Sequence, residues 1–133
     1  MHLVDVRDSH KRTPLMLAVQ NGNEGRKACT DILLSYTSEV DLLDNNGRTA
    51  LHYASYRGFE DCVSSLLDAK AYPYQKDFLG KTPFHLAAAS GHVYVLKQLI
   101  RQATVSLIDS KLLDNQRYTP LHWAAYKGKE YTL

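Results

Sequence analysis

Only two cysteines, four prolines, two methionines and one tryptophan occur in the 133 residues, and Lys plus Arg exceed Asp plus Glu by just two. Each scarcity excludes something. Two thiols cannot build a disulfide scaffold. Cys29 and Cys62 fall inside helical apolar patterns, so both are expected to be reduced, buried and small, which suits a cytoplasmic or nuclear protein. The alternative for them is a disulfide linking neighbouring units. A net charge of +2, with cations scattered along the chain, supplies no basic block for DNA, RNA or an anionic membrane. No apolar run approaches the roughly 18 residues of a membrane span. The opening MHLVDVRD lacks the charged and apolar regions of a signal peptide. What remains is an ordinary soluble composition, 44% apolar and 23% charged, at the size of one domain.

Against this background one pattern is written four times: TPLMLAVQNGN from Thr13, TALHYASYRGF from Thr49, TPFHLAAASGH from Thr82 and TPLHWAAYKGK from Thr119. The steps between the threonines are 36, 33 and 37 residues. In every copy an Asp stands five residues before the Thr (Asp8, Asp44, Asp77, Asp114) and a Gly nine after it (Gly22, Gly58, Gly91, Gly128). Self-similarity at this period means stacked supersecondary units.

Each Thr is a good N-cap, because its hydroxyl accepts from a free amide of the first turn. Pro14, Pro83 and Pro120 then occupy the first helical position, where a missing N–H costs nothing, and Ala50 holds that place in the second copy. The small Ala87 and Ala88 allow another helix to approach, and Gly91 stops the helix with a left-handed cap. A second helix follows at once. Its apolar face reads Val95, Leu96, Leu99 and Ile100 in the third copy and Cys62, Val63, Leu66 and Leu67 in the second. In the first, a two-residue insertion near Gly25 puts Ala28, Cys29, Ile32 and Leu33 in the same places. Burial of each is worth about 1.5–3 kcal/mol. Neither helix is long enough to stand alone in water, so stability must come from stacking.

Between helix pairs the chain reads as extended, turn, extended. In Leu42 to Gly47 the Asn, Asp and Gly residues tolerate positive φ, and Gly80 fills the same slot later. Lys11 and Arg117 stand there in the first and last copies, at about 1 kcal/mol each if held left-handed. The linker Gln102 to Leu113 is longer than its predecessor and reads as an extended loop or fingertip.

These residues resemble the ankyrin repeat family. The D-x-x-G-x-T-P-L-H-x-A-A-x-x-G pattern recurs over nearly the whole chain, with departures at Lys11, Arg117, Met16 and Ala50. The resemblance implies an all-α solenoid of helix–turn–helix pairs with short β-hairpin fingers, and about four repeats. The division is residues 1–8 as the tail of a preceding unit, 9–44, 45–77, 78–114, and 115–133 as a truncated last repeat. The expectation is therefore one ankyrin domain taken from a longer array, with a frayed last helix. The family binds other proteins through its fingertips and the inner faces of its first helices, and is rarely catalytic. More narrowly, DNQRYTPLHWAAYKGKE and GRTALHYASYRGFEDCVSSLL resemble repeats of the regulatory ankyrin subunits of serine/threonine protein phosphatase 6. That implies a phosphatase complex as partner.

Reactive chemistry finds little support. His52, His85 and His122 share one motif slot, but stacking sets them roughly 10 Å apart, far beyond zinc–nitrogen bond lengths. They read as side chains bonded to nearby loop backbone. Ser9-His10 lacks a third group to orient the base. The seven glycines are dispersed by the repeat and form no phosphate cradle. No catalytic, cofactor or metal site is expected.

The sharper signal is aromatic and cationic. Inner-face positions hold Arg48, Tyr53, Tyr56 and Arg57, then Phe78, Leu79 and Lys81, then Tyr118, Trp123, Tyr126 and Lys127. Tyr53/Tyr56 and Trp123/Tyr126 are i, i+3 pairs on one helix face, and Trp, Tyr and Arg are enriched at binding hot spots. The plainer alternative is that they pack between adjacent first helices. Single-stranded nucleic acid could stack on such residues, but the low net charge opposes it. The reading is a non-enzymatic protein-interaction scaffold, without nucleic acid or membrane partners. Its rival is an ankyrin segment of a larger multidomain enzyme or channel. A monomer is expected, with end-to-end association of apolar stacking faces at high concentration.

Overall fold

A computed structural model describes residues 5–37 and 39–102. Within them six helices form three antiparallel pairs: α1 (Pro14–Gln20) with α2 (Arg26–Tyr36), α3 (Ala50–Arg57) with α4 (Glu60–Asp68), and α5 (Pro83–Ala89) with α6 (Val93–Gln102). The first helices stack as α1, α3, α5 and the second as α2, α4, α6, giving a two-layer all-α solenoid.

Each first helix starts as its Thr dictates. The hydroxyls of Thr13, Thr49 and Thr82 accept from the backbone N–H groups of Met16, His52 and His85. The third residue returns the bond: Nδ1 of His52 and of His85 accepts from the Thr N–H at 3.1 Å, while Met16 offers only its sulfur at 3.5 Å. α3 and α5 end through Gly58 and Gly91, both left-handed, each followed by the paired amide-to-carbonyl bonds that close a helix end. Gly58 also has no room for a side chain, since a Cβ there would lie 2.5 Å from the His92 ring.

α1 departs from this pattern. It ends at Asn21 in extended conformation and Gly22 is not left-handed. The insertion that follows resets α2 by three residues and not two, matching the 36-residue step against 33. So Thr30 is fully buried and Leu33 and Leu34 pack on the core, while Ala28, Cys29 and Ile32 are exposed. The expected face of α2 was one position out of register, and Cys29 is not buried. Elsewhere the faces hold: Cys62, Val63, Leu66, Leu67, Val95, Leu96 and Leu99 are buried, with Ile100 at the margin.

The loops before each Thr repeat one hydrogen-bond scheme. One carboxylate oxygen of Asp8, Asp44 and Asp77 accepts from the N–H groups two and four residues on. The position before the last turn residue is left-handed in all three: Lys11 at φ 61°, Gly47 at 72° and Gly80 at 82°. Neighbouring loops are joined by one backbone bond each, Asn45 N–H to His10 and Phe78 N–H to Asn46. A single bond per junction is too few for a ladder, so the fingers are tight turns and no strand forms among the described residues. The expected loop after Gln102, the left-handed Arg117 and the frayed last helix lie outside the described residues.

Candidate functional site

The stacking of first helices makes a hollow of about 300 Å³ between α1, α3 and α5. Its walls are Gln20, Arg48, His52, Tyr53, Tyr56, Arg57 and Leu86. Four residues expected at a binding face therefore meet in one place.

Their environments differ. Tyr53 is half-buried, packs on the core and donates its hydroxyl to Asp44. Burial and that carboxylate push its pKa up. Tyr56, three residues on, is exposed at 56%. The packing alternative thus describes Tyr53 and does not describe Tyr56. Arg48 reaches across the junction to the buried Asp77 at 3.4 Å. Arg57 leans on the Phe59 ring at 5.3 Å.

His52 forms the floor. Its Nδ1 accepts from Thr49 N–H, so the ring proton sits on Nε2, which donates to the Lys81 carbonyl at 3.0 Å. Burial is the main cause holding its pKa below the ordinary value, with the Lys81 bond opposing. The ring is fully committed to structure, as the loop-bonding reading of this slot expects. His85 repeats the cap on Thr82. No group of three or more metal-ligating side chains occurs among the described residues. Ser9 Oγ and His10 Nδ1 meet at 3.5 Å on an exposed turn.

The remaining expected residues sit elsewhere. Phe78 and Leu79 are exposed at the fingertip, and the Phe78 ring lies over Gly47, where a Cβ would come within 2.5 Å of it. Phe78 lines a second hollow, beside Arg7, Lys11 and Leu43. Lys81 contributes its carbonyl to His52. Tyr118, Trp123, Tyr126 and Lys127 lie outside the described residues. Leu86 was not anticipated. It occupies the register of Tyr53, four residues after its Thr, and that equivalence was the available signal. Gln20, seven residues after its Thr as Tyr56 is after its own, is also a wall of this hollow.

A third hollow lies along α1 and α2. Pro14, Leu17, Ala18, Cys29 and Leu33 line its volume of about 400 Å³. No described helix is long and apolar enough to cross a membrane.

Comparison with known families agrees with this architecture. The family model for ankyrin repeats (3 copies) matches residues 2–77 and 71–133. The chain belongs to the ankyrin repeat family. Relatives include inversin of Canis lupus familiaris, 36% identical over 124 residues, covering 93% of this chain and 11% of that protein. Human ankyrin repeat domain-containing protein 63 is 39% identical over 100 residues, 74% of this chain and 26% of its own length. The tyrosine-protein kinase Shark of Drosophila melanogaster is 32% identical over 120 residues, 90% of this chain and 12% of the kinase. This ankyrin segment therefore spans between about a tenth and a quarter of the length of these relatives.

Proposed function

We propose that the segment is a non-enzymatic protein-interaction scaffold whose partner seats on the face made by the finger loops and first helices. The observation that carries it is the convergence of Arg48, Tyr53, Tyr56 and Arg57 on one hollow, with Tyr56 and Arg57 open to solvent. Membership of a protein-binding repeat family supports the same reading. Rigid stacking pre-orders the face, so little entropy is lost there on binding.

Two finer readings follow. A phosphatase holoenzyme component as partner rests on the resemblance of residues 47–67 and 114–130 to phosphatase 6 regulatory subunits, and none of the relatives named above is one. The rival, a segment of a larger multidomain protein, is favoured by the small share of each relative that the chain covers. The unpaired Cys29 and Cys62 support the cytoplasmic or nuclear placement.

The test is affinity capture with wild type beside a Tyr56→Ala, Arg57→Ala double variant. Both side chains are exposed, so the melting temperature should not move. Hot-spot truncations cost about 1–2 kcal/mol or more each, so a discrete partner should be lost. Equal capture by both proteins would remove this face as the site.

A further inference from the structure

We propose that the Asn21–Gly22 step is a slow self-modification site, where the backbone nitrogen of Gly22 attacks the Asn21 carboxamide and converts it to an acid. The reading goes beyond partner binding and does not depend on it.

The chain holds two Asn–Gly steps, Asn21–Gly22 and Asn46–Gly47. At such a step glycine has no Cβ to shield its nitrogen and lets the backbone turn freely. The nitrogen gives its proton to solvent base and bonds to Cγ of the Asn. The Cγ–Nδ2 bond breaks, ammonia leaves and a cyclic succinimide remains. Water then opens either carbonyl of the ring. The product is Asp or its isoaspartyl isomer, in which the main chain runs through the side chain. Water is consumed, ammonia is released, and no other reactant is needed.

The structure separates the two steps. Gly47 closes the Asp44 turn, and its N–H donates to the Asp44 carbonyl at 3.0 Å. The Asn46 N–H donates to the Asp44 carboxylate at 2.8 Å, and the Asn46 carbonyl accepts from Phe78 N–H at 3.0 Å. Gly47 is also buried, beneath the Phe78 ring. Attack there needs the peptide to swing out, which breaks the turn and the bond between neighbouring loops. Gly22 is under no such restraint. Its N–H makes no hydrogen bond among the described residues, and residues 21–25 are all exposed. Asn21 is extended, at ψ 125°, where α1 has already ended. Its ψ can rotate toward attack with no backbone bond of Gly22 to break. The bond from Asn23 N–H to Asn21 Oδ1, at 3.1 Å, must open, but it is exposed and water replaces it.

The position gives the step its consequence. α1 ends at Gln20, a wall of the first-helix hollow. A Cβ on Gly22 would lie 3.7 Å from Nη2 of Arg57, another of its walls. The new carboxylate therefore forms one residue from the Arg57 head. As the chain ages, the rim of a cationic face gains a negative charge, and the isoaspartyl form adds a main-chain atom to the α1–α2 connection.

The experiment follows the native 133-residue chain during prolonged incubation at several pH values, by tryptic peptide mapping and mass spectrometry. Trypsin puts the two steps in separate peptides, residues 13–26 and 28–48. We expect acid at Asn21 to accumulate about tenfold or more faster than at Asn46. Isoaspartyl methyltransferase labelling should mark the same peptide, and the rate should rise with pH. In urea the two rates should converge, because the restraint on Asn46 is the fold. Gly22→Ala should slow conversion severalfold at unchanged melting temperature, since a Cβ there makes only an ordinary contact. Comparable native rates at Asn21 and Asn46 would overturn the assignment. A rate independent of pH, or one that ignores Gly22→Ala, would overturn attack by the Gly22 nitrogen.

Discussion

The junction between the first and second helix pairs and the junction between the second and third use the same fold with different fastenings. At the second junction His52 donates to the Lys81 carbonyl and Arg48 reaches the buried Asp77, so the finger side is pinned by buried polar groups. At the first, Met16 holds the place of His52 and has no proton to donate, and Arg12 bonds its own Asp8 instead of the next loop. The first junction is tied mainly along the second helices, by Arg26 with Asp61 and by Lys27 with Ser65, both partly exposed. Such exposed pairs contribute little. The difference teaches that apolar stacking alone builds the solenoid, while the motif His adds direction and register to a junction.

The outer face of the first pair sharpens the contrast. Leu33 and Leu66 hold equivalent places on α2 and α4, yet Leu66 is fully buried and Leu33 only half-buried. Leu66→Ala should therefore cost about 3–4 kcal/mol and Leu33→Ala about 1 kcal/mol in urea unfolding. Equal losses would erase the distinction. Next in size, His52→Met gives the second junction the first one's chemistry. It removes the buried His52 bond to the Lys81 carbonyl, which keeps the Asp77 N–H, and should cost about 0.5–1.5 kcal/mol, with faster amide exchange in α5 but not in α1.

The same residue makes the junctions differ in acid. Folded His52 resists protonation, because burial opposes the charge and Nδ1 faces the Thr49 N–H donor. The unfolded chain takes up that proton near the ordinary value of 6.5. This stabilisation is complete above that pH and is lost as pH falls below it. Melting temperatures followed from pH 7.5 to 5.5 should drop, and less steeply in His52→Met. An unchanged slope would show that His52 is not the group responsible.

The smallest effect concerns the turns. Lys11 and Lys70 are left-handed without being glycine. Replacing either with Gly should stabilise by about 0.5–1 kcal/mol after the extra unfolded-state freedom of glycine is counted. Gly47→Ala should destabilise, since its Cβ meets the Phe78 ring.

Much of this was legible because the repeat states its own grammar. The Thr caps, the loop-bonding Asp residues, the left-handed Lys11 and the faces of α4 and α6 all follow from local chemistry that acts within a few residues. The register of α2 was not legible in the same way. Ala28, Cys29, Ile32 and Leu33 make as good an apolar stripe as Thr30, Leu33 and Leu34, and only the stacking on α4 chooses. Nothing local marked Lys70 either. It closes α4 in the left-handed conformation that Gly58 and Gly91 provide for α3 and α5. At the candidate site the sequence showed which residues share a face. It did not show that Arg48 is tethered while Arg57 pairs with no carboxylate among the described residues, because that depends on where the next loop places Asp77.

The exposure of Cys29 gives the chain a built-in clock. A maleimide will reach that thiol in the native state, whereas Cys62 is enclosed and its pKa is raised chiefly by burial. One labelling time course on the unaltered protein thus carries two rates. The fast one reports access to the outer surface of α2, and the slow one reports how often the second helix pair breathes open. A partner or neighbouring unit seated over α2 would silence the fast rate and leave the slow one running.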